Sequence, residues 1–249
     1  FRILGGESMN RWQIKSLIFY SHHGKRIEVT LKPSAVNIIV GECYSGKSAL
    51  LESIDYCMGS DCHIPGLVRE TCSWVGIVWL RDKTEILICR KLPPLTGKSC
   101  EDVYYAVGAP VEVPSSANEL RRTTNTDGAL SQFENALSMG EVIGETFGDR
   151  EGKRISVRNA MPYLLQSDDV IVDKITLLRG MNDDRRQSII DSIPYFLGAV
   201  DEATAHAEIR LKKLRSQRDR EERRLSATKT KVEEAFERAG VLVQEAAQL

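Results

Sequence analysis

The residues with the clearest capacity for chemistry are Gly41-Glu42-Cys43-Tyr44-Ser45-Gly46-Lys47-Ser48, which match G-x-x-x-x-G-K-[ST] at every required position. Gly41 and Gly46 can take backbone conformations closed to other residues, so successive N–H groups turn inward around a phosphate chain. Lys47 offers a compact positive charge to the β- and γ-oxygens, and Ser48 offers a hydroxyl to Mg²⁺. The competing reading is a tight strand-to-helix turn that carries a lysine by accident. A second cluster, Cys57, Cys62 and His63, has the ligand types of a zinc site but no C-x₂-C pair. The six cysteines (43, 57, 62, 72, 89 and 100) therefore read better as reduced thiols.

A phosphate loop needs a strand before it and a helix after it. Val36-Asn37-Ile38-Ile39-Val40 is too apolar for a half-exposed strand and suits the middle of a sheet. Ala49 to Cys57 opens a helix whose N-terminus favours anions. Upstream, Trp12–Tyr20 and Ile27–Leu31 predict a hairpin with one wet face, turning at His22-His23-Gly24-Lys25. Trp74–Leu80 and Thr84–Cys89 predict another around Arg81-Asp82-Lys83. Val103–Val107 reads as a strand, and 117–122 and 129–137 as short helices between Pro- and Gly-marked loops. Helix is also expected at 188–192, interrupted by Pro194 and Gly198.

From Leu197 the pattern changes. Positions 197, 200, 204, 207, 211, 214, 218, 221, 225, 228, 232, 235, 239 and 242 follow a three-four alternation, apolar except at Thr204, Arg218, Glu221 and Thr228. That is a heptad seam, about 75 Å long over 199–249 if continuously helical. A lone charged helix on the surface is the alternative.

Composition sets the bounds. With 249 residues, 42% hydrophobic and 28% charged, the chain can build one core plus an appendage, so disordered and mini-protein classes are excluded. Thirty-four Lys and Arg against thirty-five Asp and Glu exclude a uniformly basic nucleic-acid binder, but not a local patch. Such a patch exists: 210–231 holds ten Lys or Arg and three Asp or Glu, a balance of +7. It fits either DNA phosphates or a coiled-coil surface paired by a returning strand. No apolar stretch approaches the roughly 20 residues of a membrane span, and Phe1–Asn10 lacks a secretory core, so no membrane and a cytoplasmic location are expected. Residues 1–8, with Gly5-Gly6, read as a vector-derived leader before Met9.

Two strands ahead of the phosphate loop, the helix 48–58, Pro65-Gly66-Leu67-Val68-Arg69, a later glutamine and a long heptad helix resemble the N-terminal half of an SMC- or RecN-type ATPase head. The stretches 45–60, 74–78 and 194–200 resemble more closely the SMC-like subunit of bacterial three-component ABC ATPase defence systems, the Lamassu type among them. The resemblance spans most of 9–215, and the phosphate loop is its one highly specific motif. It implies an α/β P-loop NTPase of the ABC/SMC head type. The head's N-terminal lobe over 9–196 would have a mixed sheet with N-terminal antiparallel strands, and 197–249 would begin an antiparallel coiled-coil arm.

The resemblance also implies roles. ATP and Mg²⁺ would be the cofactors, with Gly41, Glu42, Cys43, Tyr44, Ser45, Gly46, Lys47, Ser48 and Ala49 on the nucleotide. Gln166 falls where the Q-loop glutamine touches Mg²⁺ or the attacking water. Arg69 falls where an arginine opposes charge on the γ-phosphate, and His22 or His23, in the turn after the first strand, would line the adenine or ribose. Lys47, Gln166 and Arg69 would be catalytic, and Ser48 and Gln166 would hold the metal. Two look-alikes, Leu137-Ser138-Met139-Gly140-Glu141 for the signature and Val170-Ile171-Val172-Asp173 for Walker B, are expected to mislead: the first precedes Gln166 and the second lacks a following Glu. The true motifs are expected beyond Leu249.

The implied function is an ATP-gated clamp with a second head, most simply a homodimer. It would couple ATP hydrolysis to DNA sensing in a defence complex with accessory and effector subunits, a nuclease among them. The rivals are a DNA-repair ATPase of RecN type, a coiled-coil scaffold with a non-hydrolysing nucleotide site, and a P-loop kinase with a small acceptor.

Overall fold

Strand-forming sequence dominates the first half of the chain, and the computed structural model folds it into one five-stranded sheet. The structure describes residues 11–42, 45–139, 155–174, 177–179, 186–197, 211, 214–232 and 236. Strands β1 (Gln13–Ser21), β2 (Arg26–Thr30), β3 (Cys72–Arg81), β4 (Thr84–Lys91) and β5 (Val103–Gly108) lie in the order β2-β1-β3-β4-β5. Every neighbouring pair is antiparallel, so among the described residues the sheet is not the mixed one expected: each strand is joined to a sheet neighbour by a hairpin or an antiparallel return, and the run at 36–40 adds no parallel strand. Both expected hairpins are present, the second turning at Asp82, whose φ is 54°. Helices α1 (Lys47–Cys57), α2 (Gly66–Thr71), α3 (Thr126–Ala136), α4 (Val157–Leu164), α5 (Asp168–Val172) and α6 (Arg186–Phe196) complete a mixed α/β fold. No helix among the described residues is long and apolar enough to cross a membrane.

The chain divides into two compact units, 1–140 with 155–192, and 141–154 with 193–249. In the first, both faces of the sheet are covered, which is why β3 and β4 read as nearly unbroken apolar runs. Period two sends Leu17, Val75, Ile77, Ile86 and Ile88 to one face, against Tyr56 and Cys57 of α1, Leu130 and Phe133 of α3, and Met161 of α4. The other face carries Ile18, Tyr20, Trp74, Val78, Leu87 and Cys89 beneath Val111 and Leu120. Gly76 stands opposite Cys89 in the register, and a Cβ there would lie 2.5 Å from the Cys89 thiol.

The start and stop of α1 position the loop that precedes it. Gly46, at φ 88°, is its N-cap, and no acidic residue occupies the first turn. At the other end Gly59 takes φ 90°. The Ser60 amide donates to Asp55 O at 3.1 Å and the Gly59 amide to Tyr56 O at 3.0 Å, the paired reverse bonds of a Schellman stop. A Cβ on Gly59 would also lie 2.7 Å from Leu130 Cδ1. Gly59→Ala should therefore cost about 1–3 kcal/mol, read as a lower urea midpoint with unchanged slope.

Three expectations about local structure are corrected. Val36–Val40 is not a strand: Val36, Ile38 and Val40 are 89, 82 and 87% exposed. Its apolar run signals a buried strand, but no described strand lies beside it to hydrogen-bond. Residues 117–122 form only a 3₁₀ turn, Ala117–Glu119, because Leu120 leaves in an extended conformation to enter the core. Pro194 does not interrupt α6, which runs through it to Phe196.

Of the second unit, residues 211, 214–232 and 236 are helical. The seam residues Leu211, Leu214, Leu225 and Val232 are all exposed. The seam positions Val200, Thr204, Ala207, Ala235, Ala239 and Leu242 lie outside the described residues, as do the leader 1–8, Gly140 and Glu141 of the signature look-alike, and Cys43 and Tyr44 of the loop.

Candidate functional site, a phosphate-binding loop

The chain reaches the loop from a turn held by Asn37, which accepts from the Lys32 amide at 2.8 Å and donates to Lys32 O at 3.0 Å. From Gly41 the backbone must fold back sharply. A Cβ on Gly41 would stand 2.6 Å from Ser45 Oγ, so a side chain there would first have to turn that exposed hydroxyl aside. Gly46 supplies the left-handed residue from which α1 starts, and its carbonyl accepts the Ala49 amide at 3.0 Å. Ala49 is buried, and Ser45, Gly46, Lys47 and Ser48 are exposed. The N-terminal end of α1, with no acidic residue in its first turn, thus lies exposed beside Lys47 and Ser48, an arrangement that favours an anion.

Lys47 lies folded over its own loop. Its ammonium donates to Gly41 O at 2.7 Å, to Glu42 O and to Ser45 Oγ at 3.3 Å. These are neutral acceptors, so the positive charge has no carboxylate partner among the described residues and stays available to a phosphate. Ser48, on the first turn of α1, presents an exposed hydroxyl suited to a hard cation. The residues present therefore fit a nucleoside triphosphate with Mg²⁺.

Gln166 follows α4, a helix opened by a capping box between Ser156 and Asn159. Its Nε2 donates to Pro162 O at 2.6 Å. Its Oε1 is shielded from solvent and has no hydrogen-bond partner among the described residues. An unpaired amide oxygen is a neutral hard donor, suited to Mg²⁺.

Arg69 and His22 come together elsewhere. His22 Nε2 lies 3.2 Å from Arg69 O, and its amide donates to Thr71 O at 3.1 Å. The Arg69 guanidinium turns into the 94–97 loop, donating to Gly97 O at 2.9 Å and to Pro94 O, while its Nε is buried without a partner. Among the described residues no hydrogen bond or ion pair joins this pair to the phosphate loop or to Gln166. The two look-alikes also take shape. Leu137 ends α3 and Ser138 has φ 57°, so that motif follows a helix. Residues 170–172 lie in helix α5, where Walker B needs a strand.

Sequence reasoning passed over two groups. Arg90 is 2% exposed and donates to Tyr56 O and Ser60 O, both at 2.7 Å, to Cys100 O at 2.9 Å and to Ser99 Oγ at 3.1 Å. Its guanidinium carbon sits 4.0 Å over the Tyr56 ring. The signal was present, since period two puts Arg90 on the same face as Ile86 and Ile88. The second group is Glu52 and Asp55 on α1, bound by Arg179. Burial raises the Asp55 carboxyl above its ordinary range, and Arg179 pulls it back.

The cysteine thiols are structural in setting: Cys57 is buried, pushed up to about 12 by that burial, and its Sγ donates to Val75 O at 3.6 Å. Among the described residues no group of three His, Cys, Asp or Glu gathers to hold a metal. An open cleft of about 350 Å³ between Trp12, Arg81, Tyr105 and Gln132 includes no residue of the phosphate loop. No family model, curated protein or solved structure matches this chain.

Proposed function

We propose that this chain is the N-terminal lobe of an SMC-like, ABC-type ATPase head, with 197–249 as the root of a coiled-coil arm. The observation that carries the reading is the loop itself: Gly41 close against the Ser45 hydroxyl, Gly46 left-handed, and Lys47 at the open end of α1 with no carboxylate partner among the described residues. Bound Mg²⁺ would offset the charge of the triphosphate. Ser48 and Gln166 would orient it by their oxygens, Lys47 would hold the β- and γ-oxygens, and the loop amides would cradle the chain.

Two exposed apolar surfaces support the rest. The Val36–Val40 run, strand-like but without a strand beside it, is what such a lobe leaves open when further polypeptide completes its sheet. That polypeptide would bring the signature, Walker B and catalytic Glu. The exposed seam at Leu211, Leu214, Leu225 and Val232 is what an arm leaves open before a partner helix covers it. In this reading ATP clamps two heads together, hydrolysis releases them, and the cycle acts on DNA in a cytoplasmic defence complex with effector subunits. Arg69 and His22 are joined to each other and, through Arg69, to the 94–97 loop, so the reading does not rest on them.

Calorimetric titration of ATP with Mg²⁺ should give saturable one-site heat, and GTP or ADP lesser heat. Absence of heat with any nucleotide overturns the proposal. Binding without turnover when the full complex is assembled favours the scaffold, and phosphoryl transfer to a metabolite favours the kinase.

A further inference from the structure

One long-range ion pair ties the segment that carries Gln166 to the helix that carries Ser48. Arg179 reaches back 127 residues and places one terminal nitrogen 2.9 Å from both carboxylate oxygens of Glu52. Its other terminal nitrogen lies 3.5 Å from Asp55. The side chains of Arg179, Glu52 and Asp55 are 25, 18 and 17% exposed, so this is no loose surface pair. Screening by water is reduced there; the hydrogen bonds run from one nitrogen to Glu52, while the nitrogen facing Asp55 is at ion-pair distance without a hydrogen bond among the described residues.

Where the carboxylates stand matters more than the strength of the pair. Ser48, Glu52 and Asp55 are spaced i, i+4 and i+7 on α1 and share one face. Helical side chains lean towards the N-terminus, so Glu52 lies over the turn that begins at Ser48. Arg179 therefore docks on the hydroxyl-bearing face of α1, about one to two turns below Ser48. On its own strand of chain Arg179 follows Gln166 by thirteen positions, across the short helix α5. Gln166 Oε1 has no hydrogen-bond partner among the described residues, and the bond from its Nε2 to Pro162 O is internal to the segment, so neither fixes where that segment lies.

We infer that Arg179 is a positioning residue for the metal: by gripping Glu52 and Asp55 it fastens the 166–179 segment to the Ser48 face of α1 and sets the approach of Gln166 to Mg²⁺. The inference rests on the nucleotide reading above. It assigns Arg179 no contact with nucleotide or metal. It predicts that loss of the grip is felt in Mg²⁺ dependence and not in metal-free nucleotide affinity, because the loop amides and Lys47 remain.

The test uses the whole chain, with ATP binding measured in EDTA and across a Mg²⁺ titration. Arg179→Ala should leave ATP affinity in EDTA within about twofold of the parent and raise the Mg²⁺ midpoint about tenfold, the lower end of what loss of an outer-shell partner costs a metal site. Arg179→Lys should recover part of the shift. In a Gln166→Ala background, Arg179→Ala should add nothing. A Mg²⁺ midpoint unchanged by Arg179→Ala, or effects that add to those of Gln166→Ala, would overturn the inference and leave the pair structural. If Arg179→Ala does not fold, Arg179→Lys and Glu52→Gln decide by the same midpoint. A parent protein that binds no ATP with or without Mg²⁺ sinks the nucleotide reading first, and this inference with it. A parent that binds ATP while Arg179 variants respond normally to Mg²⁺ sinks only the inference.

Discussion

Lys47→Ala should lower ATP turnover of the assembled protein by about a hundredfold or more, the scale on which one preorganised charge donor acts at a reacting phosphate. Lys47 is exposed and bonds only to loop carbonyls and Ser45 Oγ. Its truncation should therefore leave stability within about 0.5 kcal/mol of the parent, as for surface substitutions generally. That separation makes the variant informative. Steady-state turnover reads the chemistry, and thermal unfolding confirms that the lobe remains folded. A Lys47→Ala protein with full turnover would show that the loop is an ordinary strand-to-helix turn. One that loses turnover yet retains biological function would favour the scaffold.

The largest stability effect is expected at Arg90. Its charge is buried without a carboxylate partner among the described residues, and three carbonyl oxygens and one hydroxyl take its place. Tyr56 O lies in the last turn of α1 and Ser60 O just past its stop, where the helix dipole is negative and a cation is favoured. Arg90→Met keeps most of the volume but takes the charged donor from all of these acceptors, of which Tyr56 O keeps the Gly59 amide. The expected loss is about 3–5 kcal/mol, a large share of the roughly 5–15 kcal/mol that holds a domain together. Urea unfolding measures it. Arg90→Lys should recover only part, since one ammonium cannot span acceptors placed for a fork. A loss below about 1 kcal/mol would mean that water reaches those carbonyls once the guanidinium is gone.

The strands and the helices α1 and α3 were legible because period two and period 3.6 were written plainly between Gly, Pro and Asn punctuation. The loop was legible because its requirement is local: two glycines, a lysine and a hydroxyl at fixed spacing. What failed was context. The Val36–Val40 run has the composition of a buried strand, yet strand formation needs a neighbour, which composition cannot supply. Arg90 was passed over because a charge in an apolar strand invites a surface assignment until its carbonyl partners, ten to thirty-four residues away, are known. Arg179 could not be found, since nothing local marks a residue whose meaning lies 127 positions earlier. Gln166 was placed by resemblance alone, and its unpaired oxygen is a separate observation that suits the same role.

Edge strand β2 and the exposed apolar run Val36–Val40 are guarded very differently. The outer border of β2 alternates Arg26, Glu28 and Thr30 with exposed Ile27, and a flat ribbon so studded with charge deters another molecule from stacking on it. Val36 to Val40 has no such gatekeeper: its polar residue, Asn37, is spent on the turn behind it. Any tendency of the isolated chain to self-associate into fibrous or amorphous material is thus concentrated in five residues directly upstream of the phosphate loop.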